Sequence, residues 1–130
     1  MKLAVVLYAG HFFKQRPDVA RRFMRAYLKA VRDYNDALKD GKLAGPKADE
    51  VIAILTEYTR IKDASLYRKI TPQGCNPDGA VNEASLAIDL QFYKDEGHIQ
   101  GGVTVEQAVD RSFVQAALDE LGPYRKGPPT

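Results

Sequence analysis

One cysteine, Cys75, is the whole thiol complement of the sequence, so a disulfide within the chain is excluded. It lies in Gly74-Cys75-Asn76-Pro77, a turn-like setting with no adjacent Lys, Arg or His to stabilise a thiolate, which reads as a structural cysteine. Histidine is nearly as scarce. His11 and His98 stand far apart and in no metal-ligand spacing, so no shared metal site is expected. An excess of one charge sign is lacking too. The formal net charge of +2 is too small to imply nucleic acid or a membrane surface as partner, and acidic and basic residues interleave as on solvated helix faces. No apolar run approaches the roughly 18 residues of a membrane-spanning helix. The apolar stretch after Lys2 ends within about seven residues, shorter than the core of a secretory signal.

Motifs of catalysis are missing as well. There is no Gly-x-Ser-x-Gly nucleophile turn and no Gly-x-x-x-x-Gly-Lys phosphate loop. Asn76-x-Asp78-Gly79 fits the middle of a calcium loop, but the first and twelfth ligand positions would be Gly74 and Ser85, so the match fails. The carboxylate pairs Asp33/Asp36 and Asp89/Glu96 share helix faces among basic residues and read as solvated. No cofactor and no metal is implied, and the chain is not expected to be an enzyme.

What is present is an ordinary globular balance. The chain has 130 residues, 45% of them hydrophobic and 28% charged, enough for one domain with its own core. Leu3 to Ala9 are apolar without alternation, which predicts a buried strand of parallel type. Pro17 and Asp18 open a long helix ending at Gly41. Val19, Phe23, Tyr27, Val31, Tyr34 and Leu38 recur at steps of three and four, so they are expected to be its buried stripe.

Lys42 to Lys47 reads as a loop. Helices follow from about Ala48 to Thr59, with Val51, Ile52, Leu55 and Tyr58 inward, and from Asp63 to Lys69. Thr71 to Val81 is irregular, with a turn at Asn76-Pro77-Asp78-Gly79. Asn82 caps a helix running through Leu86, Leu90 and Tyr93 to Gly97. A capping box of Thr104 and Gln107 opens the last helix, which carries Val105, Val109, Phe113, Ala116 and Leu121 and stops at Gly122-Pro123. Residues 1 to 123 form a single domain in this reading, and 124 to 130 a frayed tail. The expected class is mainly α with one N-terminal β-strand. A lone strand leaves its backbone groups unpaired, which is costly when buried, so residues 3 to 9 are expected either to belong to a sheet whose other strands are absent from these residues or to pair with a second copy in a homo-oligomer.

Three pieces of the sequence carry a resemblance. Ala4-Val5-Val6-Leu7-Tyr8-Ala9 leads through His11-Phe12-Phe13 and Arg16-Pro17-Asp18-Val19 into Phe23-Met24-Arg25-Ala26-Tyr27-Leu28. Asn76-Pro77-Asp78-Gly79-Ala80-Val81-Asn82 leads through Ser85-Leu86 to Phe92-Tyr93-Lys94-Asp95-Glu96-Gly97. Val109-Asp110-Arg111-Ser112-Phe113-Val114 is followed by Leu118-Asp119-Glu120-Leu121-Gly122. In order and spacing these resemble the C-terminal part of periplasmic solute-binding proteins of ABC importers, in the nitrate-, sulfonate- and taurine-type group.

The resemblance implies a fragment of the α/β type II periplasmic binding protein fold, whose intact members close two lobes around a small-molecule ligand and hand it to an ABC permease. It also implies a periplasmic location for the intact parent. An export signal, the first lobe and most ligand-gripping loops have no counterpart in these residues, so weak ligand binding or none is expected. Ligands of open α/β sheets sit at the carboxyl ends of strands, which makes Tyr8, Gly10 and His11 the candidate ligand-binding residues. Two other functions compete. One is a stand-alone helical oligomeric interaction protein without transport activity. The other is an enzyme, because the broad fold group includes a pyrimidine-synthesising one.

Overall fold

Arg16 precedes a proline and is pushed out of the helical region, to φ −133° and ψ 57°. That one residue divides two helices, α1 (Gly10–Gln15) and α2 (Pro17–Asp36). The computed structural model describes residues 4–126. After α2 come a minimal hairpin of β1 (Leu38–Lys39) and β2 (Lys42–Leu43), then α3 (Ala48–Tyr58), α4 (Ala64–Lys69), α5 (Glu83–Asp95), α6 (Val105–Ala108) and α7 (Ser112–Leu121). The chain is mainly helical, as expected.

The expected N-terminal strand is not there. Residues 4–9 form no strand, and most of them are exposed; Leu3, the first residue of that reading, lies outside the described residues. A strand needs a partner ladder, and the one ladder among the described residues is the antiparallel β1–β2 pair, with Leu38 opposite Leu43 and Lys39 opposite Lys42. Asp40 and Gly41 at its tip have φ of 51° and 73°, the two positive angles of the tight hairpin turn that Asp-Gly favours. Gly41 thus serves a hairpin, where a helix end had been expected.

α2 is the spine of two core clusters. Ala20, Met24 and Leu28 pack with Phe113 and Ala117 of α7, flanked by Phe12 and Phe13 of α1. At the other end Ala37 joins Leu43, Ala48, Val51, Ile52 and Tyr67. The buried stripe of α2 is therefore Ala20, Met24, Leu28 and Val31, about one residue round from the expected one. Both sets satisfy the helical period. The small side chains of Ala20 and Ala117 let α2 and α7 approach closely, and Phe23, 51% exposed, is left on the flank against Tyr8 with ring centres 6.0 Å apart. Val31 is buried as expected, whereas Tyr27 and Tyr34 are half-buried. In α3 Val51 and Ile52 point inward, but Tyr58 is exposed.

Close packing also explains two glycines. A Cβ on Gly45 would stand 2.7 Å from the Asp36 carbonyl oxygen, and one on Gly79, at φ 71°, would stand 2.8 Å from Leu28 Cδ2. The caps fall where local chemistry puts them. Asn82 Oδ1 accepts from the Ser85 amide at 3.0 Å, and Thr104 and Gln107 form the reciprocal box. The final helix is broken where one continuous helix was expected. Val109 is extended, and Asp110 Oδ1 accepts from the Ser112 amide and hydroxyl at 2.8 and 2.6 Å, restarting the chain as α7.

Candidate functional site

Tyr8, Gly10 and His11 do not come together as a ligand cradle. The Tyr8 hydroxyl donates to the Ala20 carbonyl at 2.7 Å. Its ring stands edge-on to Phe12 and Phe113, with centres 5.4 and 5.3 Å away. Burial raises its pKa above the ordinary tyrosine value. Tyr8 is thus committed to packing α1 on α2. Gly10 and His11 lie exposed at the start of α1, and no heavy atom comes within 4 Å of where a Gly10 Cβ would be.

The structure draws attention instead to α5. This 13-residue helix buries none of its residues. Leu86, Leu90 and Tyr93 line one side of an open groove of 570 Å³, closed at its other edges by Ala4 and Val5 and by Ile99, Val105 and Ala108. Phe92 also lines it, though 57% exposed, and Ile88 stands outside it, 71% exposed. Leu7 is 87% exposed. Large apolar side chains left in water this way mark contact surfaces. A smaller recess of 310 Å³ lies between α5 and α6, where Glu83, Gln91, Lys94, Thr104 and Glu106 line it together with apolar residues such as Leu90 and Val105. Lys94 is held there by the Val103 carbonyl at 2.7 Å, and Arg111 forks onto the Glu83 carboxylate close by.

A polar hub ties the irregular stretch and the chain end to α2. Arg32 donates to the carbonyls of Pro77 at 3.1 Å and Gly122 at 2.6 Å, and to Asp78 Oδ1 at 2.9 Å. A guanidinium suits this place because it answers the unpaired carbonyls at the end of α7. Asp78 also accepts from the Tyr124 amide at 2.8 Å. The Tyr124 hydroxyl donates to Asp36 at 2.7 Å, and burial together with that bond pushes its pKa up to about 12. Lys47 bonds Asp33 at 2.6 Å, which raises the lysine pKa.

Asp33 and Asp36, expected to be merely solvated, are thus partners in fixed contacts. Tyr124, assigned by sequence to a frayed tail, is anchored, and Lys126 reaches the Leu38 carbonyl at 3.0 Å; residues 127–130 lie outside the described residues. Asn35 and Tyr34 hold the same stretch from α2, bonding the carbonyls of Cys75 and Gln73 at 3.0 and 2.7 Å. Among the described residues no group of three or more His, Cys, Asp or Glu is placed to hold a metal ion.

Comparison of the chain with protein-family models, with curated proteins and with solved structures gives no match.

Proposed function

We propose that the chain is the helical C-terminal portion of a solute-binding protein of an ABC importer, and that it works by contact, without catalysis. The observation that carries this reading is the unpartnered apolar surface of α5 and residues 4–7, of the kind left when a segment belongs against further polypeptide. In the intact parent that surface meets the rest of the protein, whose two lobes capture a sulfonate, a nitrate or a small heterocycle and deliver it to a permease. The order of the three resembling sequence pieces supports the same reading. The type II binding fold and the periplasmic location are part of the proposal.

Two measurements test it. Reading the coding DNA upstream of the Met1 codon should find an in-frame, strand-rich lobe with an export signal; a stop codon just upstream contradicts the proposal. Calorimetry of the isolated chain with taurine, nitrate and aminopyrimidines should give weak binding or none, because the ligand needs both lobes. Micromolar binding would overturn that part.

A second reading is a stand-alone helical protein that self-associates, with residues 4–9 paired between copies. It is favoured by the two core clusters that the described residues close without a partner, one around Ala20, Met24, Leu28, Phe113 and Ala117 and one around Ala37, Leu43, Val51, Ile52 and Tyr67. Light scattering on the intact chain and on a version lacking residues 1–9 checks it. Loss of an oligomer on truncation is expected, and a monomer in both cases eliminates it.

A further inference from the structure

The two charge signs balance over the whole chain but not along it. Residues 10 to 32 hold seven basic side chains and one acidic, whereas 83 to 120 hold eight acidic and two basic. We propose that two copies of the chain associate through these opposite faces, the acidic, apolar outer face of α5 in one copy seated on the basic outer face of α2 in the other. This rests on the second reading above for self-association alone, and assigns the contact to α5 and α2 in place of residues 4–9.

The basic face is built by helical spacing. Arg21, Arg22, Arg25 and Lys29 are all exposed, and at about 100° per residue they fall within roughly a quarter-turn of arc that flanks the buried Ala20–Met24–Leu28 stripe. Internal partners answer only part of it. Asp18 stands 3.5 Å from Arg22 and Glu120 stands 2.7 Å from Arg25, and both pairs are largely in water, where such pairs hold weakly.

The opposing face follows the same logic on α5. Ile88 and Phe92 are four residues apart, and Asp95 and Glu96 come three and four residues later, so apolar and acidic groups share one stripe. Guanidinium groups suit that mixture. Carboxylates accept their fork, an aromatic face attracts the cation, and the aliphatic stems of Arg and Lys cover apolar side chains. A second copy is the occupant the charges favour. The carboxylates of α5 repel phosphate surfaces, and the chain itself carries the complementary face. A closed two-fold pair makes the contact twice.

The test is sedimentation equilibrium of the intact chain in about 20 mM and about 1 M salt, with two double variants. Arg21→Glu with Lys29→Glu reverses the basic face; Asp95→Lys with Glu96→Lys reverses the acidic one. The wild type should associate in low salt and weaken roughly tenfold or more in high salt, because screening shortens to about 3 Å at 1 M. Each double variant alone should be monomeric, and an equimolar mixture of the two should regain a heterodimer, which variants that failed to fold could not do. A wild-type oligomer indifferent to salt and to both reversals overturns this inference while leaving self-association standing. A mixture that stays monomeric overturns it as well. A wild type that stays monomeric at roughly millimolar concentration overturns both, and co-flotation of that monomer with anionic phospholipid vesicles would assign the basic face to a membrane.

Discussion

Phe23 and Leu28 lie five residues apart on α2 and should respond very differently to truncation. Leu28 is fully buried, so Leu28→Ala removes contacts on every side and leaves a cavity; a loss of about 2–5 kcal/mol is expected in urea denaturation. Phe23 is half in water, and Phe23→Ala should cost no more than about 1.5 kcal/mol, a bound set by its partial burial. Equal losses would mean that the buried face of α2 has been misassigned. Tyr124 makes a different kind of prediction. Its folded pKa of about 12 lies above the ordinary value near 10. A raised pKa means that its contribution is fully present below about pH 10 and is lost as pH rises toward 12. Tyr124→Phe should therefore cost about 1.5 kcal/mol at neutral pH, a hydrogen bond to a carboxylate, and progressively less between pH 10 and 12. Thermal denaturation of both proteins across that window measures it, and a constant difference would contradict the Asp36 bond.

Among the elements, α2 and α5 differ most. α2 contributes to both clusters, while α5 buries nothing, so amide hydrogen exchange should be slow along Met24–Val31 and much faster along Leu86–Asp95. Arg32 couples elements: Arg32→Ala strips the end of α7 and Asp78 of their partner and should cost about 2–3 kcal/mol, the scale of leaving such groups unanswered, read as a lower urea midpoint. Local chemistry made much of this level legible in the sequence. Pro17, Asn82 and the Thr104/Gln107 box mark helix starts because capping involves only neighbours along the chain. Other elements were not legible for particular reasons. Two stripes on α2 both satisfy the helical period, and only the packing of Ala20, Met24 and Leu28 with Phe113 and Ala117 of α7 selects between them. Asp40-Gly41 carried a hairpin signal that the longer helical pattern masked, and Asp110-x-Ser112 carried a restart signal hidden within the apolar run from Val105 to Leu121.

For the molecule as a whole, the site was less legible than the fold class. Tyr8, Gly10 and His11 were chosen as the end of a strand, and that reasoning fails with the strand. An apolar run such as Val5-Val6-Leu7 reads the same whether it enters a sheet or lies exposed. The α5 surface was hidden for a related reason: Leu86, Leu90 and Tyr93 form one apolar stripe, and Phe92 and Ile88 continue it round to a side that stays largely in water. The account's central claim is that this surface is a place of contact. Hydrogen–deuterium exchange of the intact chain, followed over increasing protein concentration in low salt, tests it most directly, because association stabilises whatever it covers. The account predicts that exchange along Leu86–Asp95 slows as concentration rises while the already protected Met24–Val31 changes little. Exchange in α5 that is fast and independent of concentration would contradict it.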